Sequence, residues 1–215
     1  MIILFALLAY LLFFAFVEKI ASKHSIGTET TRKTVHVIGG ISAAFLPFIM
    51  SFAQITTLGL LIAAAMLISK KINFFKTIHE TDRTTYGEVY FPLAIGITAF
   101  LFPNLLAYSY GVLIMGISDG LAGIAGKKYG GKKYNILGVK KTYVGSLIFF
   151  IMTFLIGDFF LLPLNAPFAQ LIIGNIIISM ALTLVEGLLP LGLDNLALPP
   201  IGAFLLLNLY KLFHI

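Results

Sequence analysis

Residues 105–125 read LLAYSYGVLIMGISDGLAGIA, an apolar run that contains a single charged side chain, Asp119. A helix of this length and hydrophobicity is long enough to cross the hydrocarbon core of a bilayer. At 1.5 Å of rise per residue, Asp119 lies about 12 Å before Lys127, the first cation after the run, and therefore inside the membrane. A carboxylate at such a depth is rare unless it faces a partner or a water-filled cavity. The stretch thus predicts a membrane helix with a functional site on it.

The composition of the whole chain is typical of a membrane protein. Its 215 residues are 59% hydrophobic and 11% charged, with a mean hydropathy of +1.00, whereas soluble domains are about 25% charged. The absence of cysteine excludes disulfides, thiolate metal sites and a cysteine nucleophile. We expect an all-α, polytopic membrane helix bundle that forms one domain over residues 1–215. The eight predicted spans are 2–17, 35–52, 55–68, 89–102, 105–125, 144–162, 168–184 and 196–213.

The basic residues indicate how the helices are oriented. Of the 15 lysine and arginine residues, 14 fall in the connections after the first, third and fifth spans. By the positive-inside rule these connections face the cytoplasm, and both chain ends then lie outside. The connection after the seventh span, residues 186–195, joins them on the cytoplasmic side. The basic residues are Lys19, Lys23, Arg32 and Lys33, then Lys70, Lys71, Lys76 and Arg83, then Lys127, Lys128, Lys132, Lys133, Lys140 and Lys141.

One face of the helix around Asp119 carries no bulky side chain. Asp119, Ala122, Gly123 and Gly126 follow one another at helical spacings of three, four and seven. Close packing against another helix explains the small residues equally well, but it leaves the carboxylate unexplained. The more specific interpretation is an open helix face that admits a phosphate chain, with Asp119 holding the cation that accompanies it.

The start of the sixth span offers a site for an anion. Thr142 is a favourable N-cap, and the free N–H groups near Gly145 and Ser146 lie at the positive end of the helix dipole. Lys141 adds a positive charge at the same end. The preceding lysine-rich and glycine-broken segment, residues 127–133, has an alternative role, because a basic loop beside a membrane also binds anionic lipid headgroups.

Two further clusters open on the same side. Arg32, Lys33 and His36 share one helix face at the start of the second span, where cations oppose the helix dipole unless an anion is present. Charges that set the topology explain Arg32 equally well, but they explain the deeper His36 less well. Glu186 lies at the C-terminal end of the seventh span, where a carboxylate is disfavoured without a cation. Asp194 follows it in the same connection.

Other ionisable residues have structural explanations. Glu88 opens the fourth span, where a carboxylate suits the helix dipole. Asp158 lies toward the outer end of the sixth span, and we expect it to pack between helices or at the membrane surface. His24, His79 and His214 have no neighbours at ligand spacing, and we expect them to be solvated or interfacial.

These clusters together indicate a class of reaction. Cations beside carboxylates that can bind a metal suit a nucleoside triphosphate with Mg²⁺. The Walker motif and the kinase glycine loop are absent from the sequence, so membrane helices and short loops would hold the nucleotide. The second substrate should be a lipid, because a soluble acceptor would not require so much apolar chain. We expect no nucleic-acid partner.

In these segments the sequence resembles the CTP-dependent lipid-alcohol kinases, the family that includes phytol kinase, dolichol kinase and fungal-type diacylglycerol kinase. The resemblance extends from Arg32 to about Pro200. Where the family often has glycine before the aspartate and serine after the lysine, this chain has Ser118 and Thr142. The matching motifs are RKTVH at 32–36, GEVYFPL at 87–93, SDGLA at 118–122, GKKYG at 126–130, KT with GS at 141–146, and EG with GLDN at 186–195.

The resemblance implies transfer of the γ-phosphate of CTP to the hydroxyl of a membrane lipid. Mg²⁺ would be bound by Asp119 with Glu186 or Asp194 as second ligand, and Lys141 would neutralise developing charge. Asp119 or Glu88 would orient the lipid hydroxyl or accept its proton. The implied nucleotide-binding residues are Arg32, Lys33, His36, Gly123, Gly126, Lys127, Lys128, Gly130, Thr142, Gly145, Ser146 and Asn195.

Two other functions are compatible with parts of this pattern. A lipid cytidylyltransferase of the CDP-diacylglycerol or CDP-archaeol synthase type also uses CTP, Mg²⁺ and membrane carboxylates, but its His-Gly-Gly signature is absent here. A small transporter would consume no nucleotide, and no repeat of two halves is visible. The acceptor is open among phytol, geranylgeraniol, dolichol-type polyprenols and diacylglycerol, and the compact chain favours an isoprenoid alcohol. The oligomeric state is open, a homo-oligomer included.

Overall fold

The structure is a computed structural model that describes residues 1–72, 74–79, 85–136, 139–162 and 166–213, most of them helical. Arg83, one of the basic residues predicted to face the cytoplasm, and His214, expected to be solvated or interfacial, lie outside the described residues. The elements are α1 (Ile2–Lys23), α2 (Thr28–Ala44), a 3₁₀ turn (Leu46–Phe48), α3 (Phe52–Lys71), α4 (Lys76–His79), α5 (Gly87–Leu101), α6 (Leu105–Leu113), a π-helical turn (Ile114–Asp119), α7 (Gly120–Tyr129), β1 (Lys133–Ile136), β2 (Val139–Thr142), α8 (Tyr143–Leu161), α9 (Phe168–Leu188) and α10 (Leu193–Leu212).

Six of the described helices are long and apolar enough to cross a membrane. Helices α2 and α5, which correspond to two further predicted spans, are shorter, with 17 and 15 residues. The predicted membrane helix bundle is therefore confirmed, whereas the predicted number of eight spans is not. The six spans are Ile2–Lys23, Phe52–Lys71, Leu105–Tyr129, Tyr143–Leu161, Phe168–Leu188 and Leu193–Leu212.

The span that contains Asp119 is the centre of the bundle. It comprises α6, the π-helical turn and α7, and neighbouring helices bury most of it. The π turn, a rare element that is often found at functional sites, ends at Asp119. A Cβ at Gly111 would lie 2.1 Å from the carbonyl oxygen of Pro199 on α10, and a Cβ at Gly40 on α2 would lie 2.6 Å from the Cα of Gly116. These glycines bring α2 and α10 directly against the central span.

A two-stranded antiparallel hairpin lies between α7 and α8 and is a small addition to the helical fold. Strands β1 and β2 pair Tyr134 with Lys141 and Lys133 with Thr142. Strands of four residues are too short to show a clear two-residue hydrophobic period, so they could not be predicted from the hydrophobic pattern. Thr142 ends β2, and its hydroxyl accepts a hydrogen bond from the Gly145 N–H at 3.0 Å. The predicted N-cap of α8 is therefore confirmed.

The interface of α8 and α9 contains Asp158. Asn175 on α9 is fully buried, and its amide donates hydrogen bonds of 2.8 Å to the Asp158 carboxylate and to the carbonyl oxygen of Phe154. Gly157 permits this contact, because a Cβ there would lie 1.9 Å from the Asn175 Oδ1. Of the two roles expected for Asp158, helix packing is the one that the structure shows.

We predict that Asn175→Leu destabilises the bundle by about 1 kcal/mol, because it removes an interhelical hydrogen bond within the membrane and leaves Asp158 without its amide donor. The measurement is unfolding in mixed detergent micelles. Ile177→Leu is the matched control, since Ile177 lies on the same helix with 61% of its surface exposed. Equal stability of the two variants would contradict the role assigned to Asn175.

Candidate functional site

A cavity of about 1350 Å³ lies between the ends of α2, α7, α9 and α10 and the hairpin. Glu88 and His36 are the two predicted site residues that do not line it. It is also lined by Lys133, Lys140 and the loop 189–192. Glu29 and Thr85 line it as well, and neither could be predicted as a site residue because neither belongs to a recognisable spacing. The predicted residues in its wall are Arg32, Lys33, Asp119, Gly123, Gly126, Lys127, Lys128, Gly130, Lys141, Thr142, Gly145, Ser146, Glu186, Asp194 and Asn195.

Three carboxylates from three helices meet in the wall of this cavity. Asp119 ends the π turn, Glu186 lies in the last turn of α9, and Asp194 lies in the first turn of α10. Each offers an oxygen within 4.8 Å of the oxygens of the other two. All three residues are buried, with relative exposures of 2%, 4% and 9%. Like charges this close and this buried repel one another, so the arrangement requires nearby cations.

Lys33 supplies one of these cations. Its ammonium lies 2.5 Å from the Asp119 carboxylate, and the residue is buried. Its stem crosses α7 at Gly123, where a Cβ would lie 2.4 Å from the lysine Cε. The helix face that we expected to be open for a phosphate chain is therefore partly covered by a side chain of α2. The sequence could not reveal this contact, because the two residues lie on different helices.

Lys141 supplies a second cation. Its ammonium donates to the Glu186 carboxylate and, at 3.1 Å, to the Asp194 carboxylate. The hairpin that carries it is tied to α8, since the hydroxyls of Tyr134 and Ser146 lie 2.6 Å apart. Burial by itself lowers the pKa of Lys141, but the carboxylates of Asp194 and Glu186 raise that pKa above its ordinary value. Lys141 is therefore protonated throughout the physiological pH range.

The described charges in this cluster leave one carboxylate uncompensated. Three carboxylates face the ammonium groups of Lys33 and Lys141, while Arg32, the neighbouring cation, is bound at 2.8 Å to Glu29. Oε2 of Glu186 is buried without a hydrogen-bond partner among the described residues. Carboxylate oxygens are the ligands that Mg²⁺ prefers. The donor set, the excess charge and the unpartnered oxygen all fit a divalent cation.

A second part of the cavity wall suits phosphate groups. Helices α7 and α8 approach each other at two glycines, and a Cβ at Gly126 would lie 2.7 Å from the Thr142 hydroxyl. The N-terminal turn of α8 begins there and contributes Gly145 and Ser146 to the wall. A helix N-terminus and lysine ammonium groups both bind anions. The lysines that line this cavity besides Lys33 and Lys141 are Lys127, Lys128, Lys133 and Lys140.

His36 lies behind Asp119 and outside the cavity wall. Its ring stacks on Phe91 with the centroids 4.4 Å apart, and its Nδ1 lies 3.9 Å from the Asp119 carboxylate. The residue is 1% exposed, and neither ring nitrogen has a hydrogen-bond partner among the described residues. The structure therefore brings His36 to Asp119 without giving it access to a ligand in the cavity.

Glu88 belongs to a separate polar cluster at the start of α5. Its Oε1 accepts a hydrogen bond from Lys70 at 2.5 Å and lies 3.2 Å from Nδ1 of His79. Nε2 of His79 lies 3.0 Å from the Ser69 hydroxyl, and the histidine side chain is 6% exposed. Of the two environments expected for His79, the solvated one is therefore wrong, since its side chain lies between Ser69 and Glu88. Helix α4 places it between α3 and α5, a contact that its sequence neighbours do not reveal.

The chain is similar to two curated proteins. It is 25% identical to the phytol kinase of Synechocystis sp. over 178 residues, which cover 80% of this chain and 75% of that protein. It is 28% identical to the uncharacterized protein MJ1137 of Methanocaldococcus jannaschii over 190 residues, which cover 83% of this chain and 92% of that protein. No family model and no solved structure matches the chain.

These similarities agree with the motifs of the sequence and with their place in the structure. The motifs between residues 32 and 195 come from distant parts of the chain, and most of their polar residues line one cavity. The similarity to phytol kinase extends over four-fifths of the chain. At the level of the family, the similarity to phytol kinase supports the resemblance to the membrane lipid-alcohol kinases that the motifs indicated.

Proposed function

We propose that this protein transfers the γ-phosphate of CTP to the hydroxyl of a membrane lipid alcohol, with Mg²⁺ at the phosphates and the reaction on the cytoplasmic side. The observation that carries the proposal is the meeting of Asp119, Glu186 and Asp194 with the buried Lys33 and the half-buried Lys141 in one lysine-lined cavity. The homology to phytol kinase supports a kinase that acts on a lipid. The choice of CTP rests on the resemblance to the CTP-dependent family.

The three carboxylates would hold Mg²⁺, which when bound neutralises phosphate charge and aligns the transferred group. The protein keeps these carboxylates in place through its lysines. Lys33 fixes Asp119 at 2.5 Å, and Lys141 bridges the carboxylates of Glu186 and Asp194. Two elements, α2 and the hairpin, therefore determine how the carboxylates face the cavity.

In the proposed reaction the lipid oxygen forms a bond to the γ-phosphorus. The bond from this phosphorus to the oxygen that bridges to the β-phosphate breaks, and CDP leaves. Lys141 remains protonated and places its charge where negative charge develops. The hydroxyl proton passes to a carboxylate of the cavity, and Asp119 suits this part better than Glu88 because Glu88 does not line the cavity.

We propose an isoprenoid alcohol as the acceptor. The curated relative is named for phytol, an isoprenoid alcohol. The spans of this protein surround the site with apolar surface, in which the hydrocarbon body of such an alcohol can remain while its hydroxyl reaches the cavity. Phytol and geranylgeraniol are therefore the first alcohols to test, with polyprenols and diacylglycerol beside them.

The products of the reaction test the proposal directly. Purified protein incubated with Mg²⁺, γ-labelled CTP and the panel of alcohols should yield a labelled lipid phosphate and CDP. Labelled pyrophosphate together with a CDP-lipid would contradict the kinase and identify a cytidylyltransferase. Consumption of no nucleotide with any alcohol would contradict both enzymatic functions.

We predict that Asp119→Asn lowers the phosphorylation rate at least about a hundredfold, because it removes a metal ligand and the charge that faces the reacting hydroxyl. The substitution also leaves Lys33 buried without its counter-charge, which destabilises the fold. The double variant Lys33→Met with Asp119→Asn removes both charges and should be folded and inactive. Its elution as a monodisperse protein–detergent complex is the measurement of folding.

Asp158→Asn is the matched control for this prediction. It makes the same change in another span, where Asp158 packs against Asn175 and lies away from the cavity. We expect it to retain most of the wild-type rate. A folded variant at Asp119 with near-normal turnover would remove this carboxylate from the proposed reaction.

A further inference from the structure

The segment that leads into α5 is anchored on α3 by Lys70. The Lys70 ammonium donates to the Thr85 carbonyl oxygen and to the Glu88 carboxylate, each at 2.5 Å. It also lies over the Tyr86 ring, 4.5 Å from the ring centroid. The Lys70 ammonium therefore contacts Thr85, Tyr86 and Glu88. These contacts fix the position of residues 85–88 relative to α3.

The same segment holds the turn that precedes α10. The Thr85 hydroxyl donates to the Leu191 carbonyl oxygen at 3.2 Å, and the Tyr86 N–H donates to the same oxygen at 3.4 Å. Leu191 has a φ of 59° and Gly192 a φ of 83°, both in the left-handed region. A residue such as leucine adopts this conformation only where its surroundings enforce it. The contacts from Thr85 and Tyr86 provide that enforcement.

Two residues of the cavity wall follow this turn directly in the chain. Asp194, the third carboxylate of the cluster, opens the first turn of α10, and Asn195 follows it. The Asn195 side chain packs on the anchored segment, because its Nδ2 lies 2.5 Å from where a Cβ at Gly87 would be. Any shift of the turn would therefore displace both residues relative to Asp119.

We propose that Thr85 is a positioning residue, whose hydroxyl holds the Leu191–Gly192 turn so that Asp194 and Asn195 are set to bind the metal–nucleotide complex. This inference rests on the proposed function. The Lys70–Glu88 ion pair anchors Thr85. It therefore influences the binding of the metal–nucleotide complex, although neither Lys70 nor Glu88 lines the cavity. Glu88 thus has a part in the reaction that differs from the proton transfer expected from the sequence.

Thr85→Val tests the proposal, because it removes the hydroxyl with almost no change of shape. Mn²⁺ replaces Mg²⁺ as the probe, and its binding with CTP to the purified protein is measured by electron paramagnetic resonance. We expect the affinity for Mn²⁺–CTP to fall about threefold to tenfold, the range that one net hydrogen bond gives. The KM for the lipid alcohol should not change. Thr85→Ser keeps the hydroxyl and should restore the affinity.

Thr57→Val is the matched control, since the Thr57 hydroxyl bonds to the Ala53 carbonyl oxygen within α3 on an exposed part of that helix. It should bind Mn²⁺–CTP as the wild type does. Unchanged affinity in Thr85→Val would overturn the proposal, as would a loss that Thr85→Ser does not restore. If Thr85→Val fails to fold, Lys70→Met decides, because it should reproduce the loss of affinity, and wild-type affinity in that variant would also overturn the proposal.

This experiment separates the inference from the function on which it rests. A wild-type protein that binds Mn²⁺–CTP but phosphorylates no lipid alcohol would contradict the proposed function, while the affinities of the Thr85 variants would still test the positioning role. A wild-type protein that phosphorylates a lipid alcohol, together with unaffected Thr85 variants, would overturn the positioning role alone.

Discussion

Compensation of charge inside an apolar bundle is the constraint on which this structure depends. An ion removed from water costs several kcal/mol, about the net stability of a small domain, so each buried carboxylate needs a cation or a ligand. Asp119 obtains Lys33 from α2, while Glu186 and Asp194 obtain Lys141 from the hairpin. Because these groups come from five different elements, the ion pairs also fix how α2, α9, α10 and the hairpin surround the central span.

This compensation is incomplete in a way that suits catalysis. Two lysines for three carboxylates leave room for a cation, and the lysines that line the rest of the cavity favour the phosphates that such a cation accompanies. Two glycines make room for the charged groups of the cavity. Gly123 admits the Lys33 stem to Asp119, and Gly126 lets α7 approach the N-terminus of α8. Sequence, close packing and electrostatics are therefore all compatible with the metal-bound polyphosphate that we propose for this cavity.

Much of this arrangement could be predicted from local features of the sequence. Apolar runs identified the membrane helices, the depth of Asp119 pointed to the candidate site, and Thr142 was predicted as the N-cap that it forms on α8. What could not be predicted depends on contacts between distant residues. The stem of Lys33 over Gly123 and the hydrogen bond from Thr85 to Leu191 join residues 90 and 106 positions apart. The short strands of the hairpin likewise gave no periodic signal.

The central claim is that carboxylates from different helices share one cation, and the absence of native cysteine makes a direct test simple. Thiolates bind Cd²⁺ strongly, so a chain with Asp119→Cys and Glu186→Cys carries its only thiols at the proposed site. Titration with Cd²⁺, followed by the ultraviolet absorption of the cadmium–thiolate bond, should show one ion per chain, bound far more tightly than by either single variant. Equal affinity of the double and single variants would show that the two side chains do not share an ion, and would contradict the account.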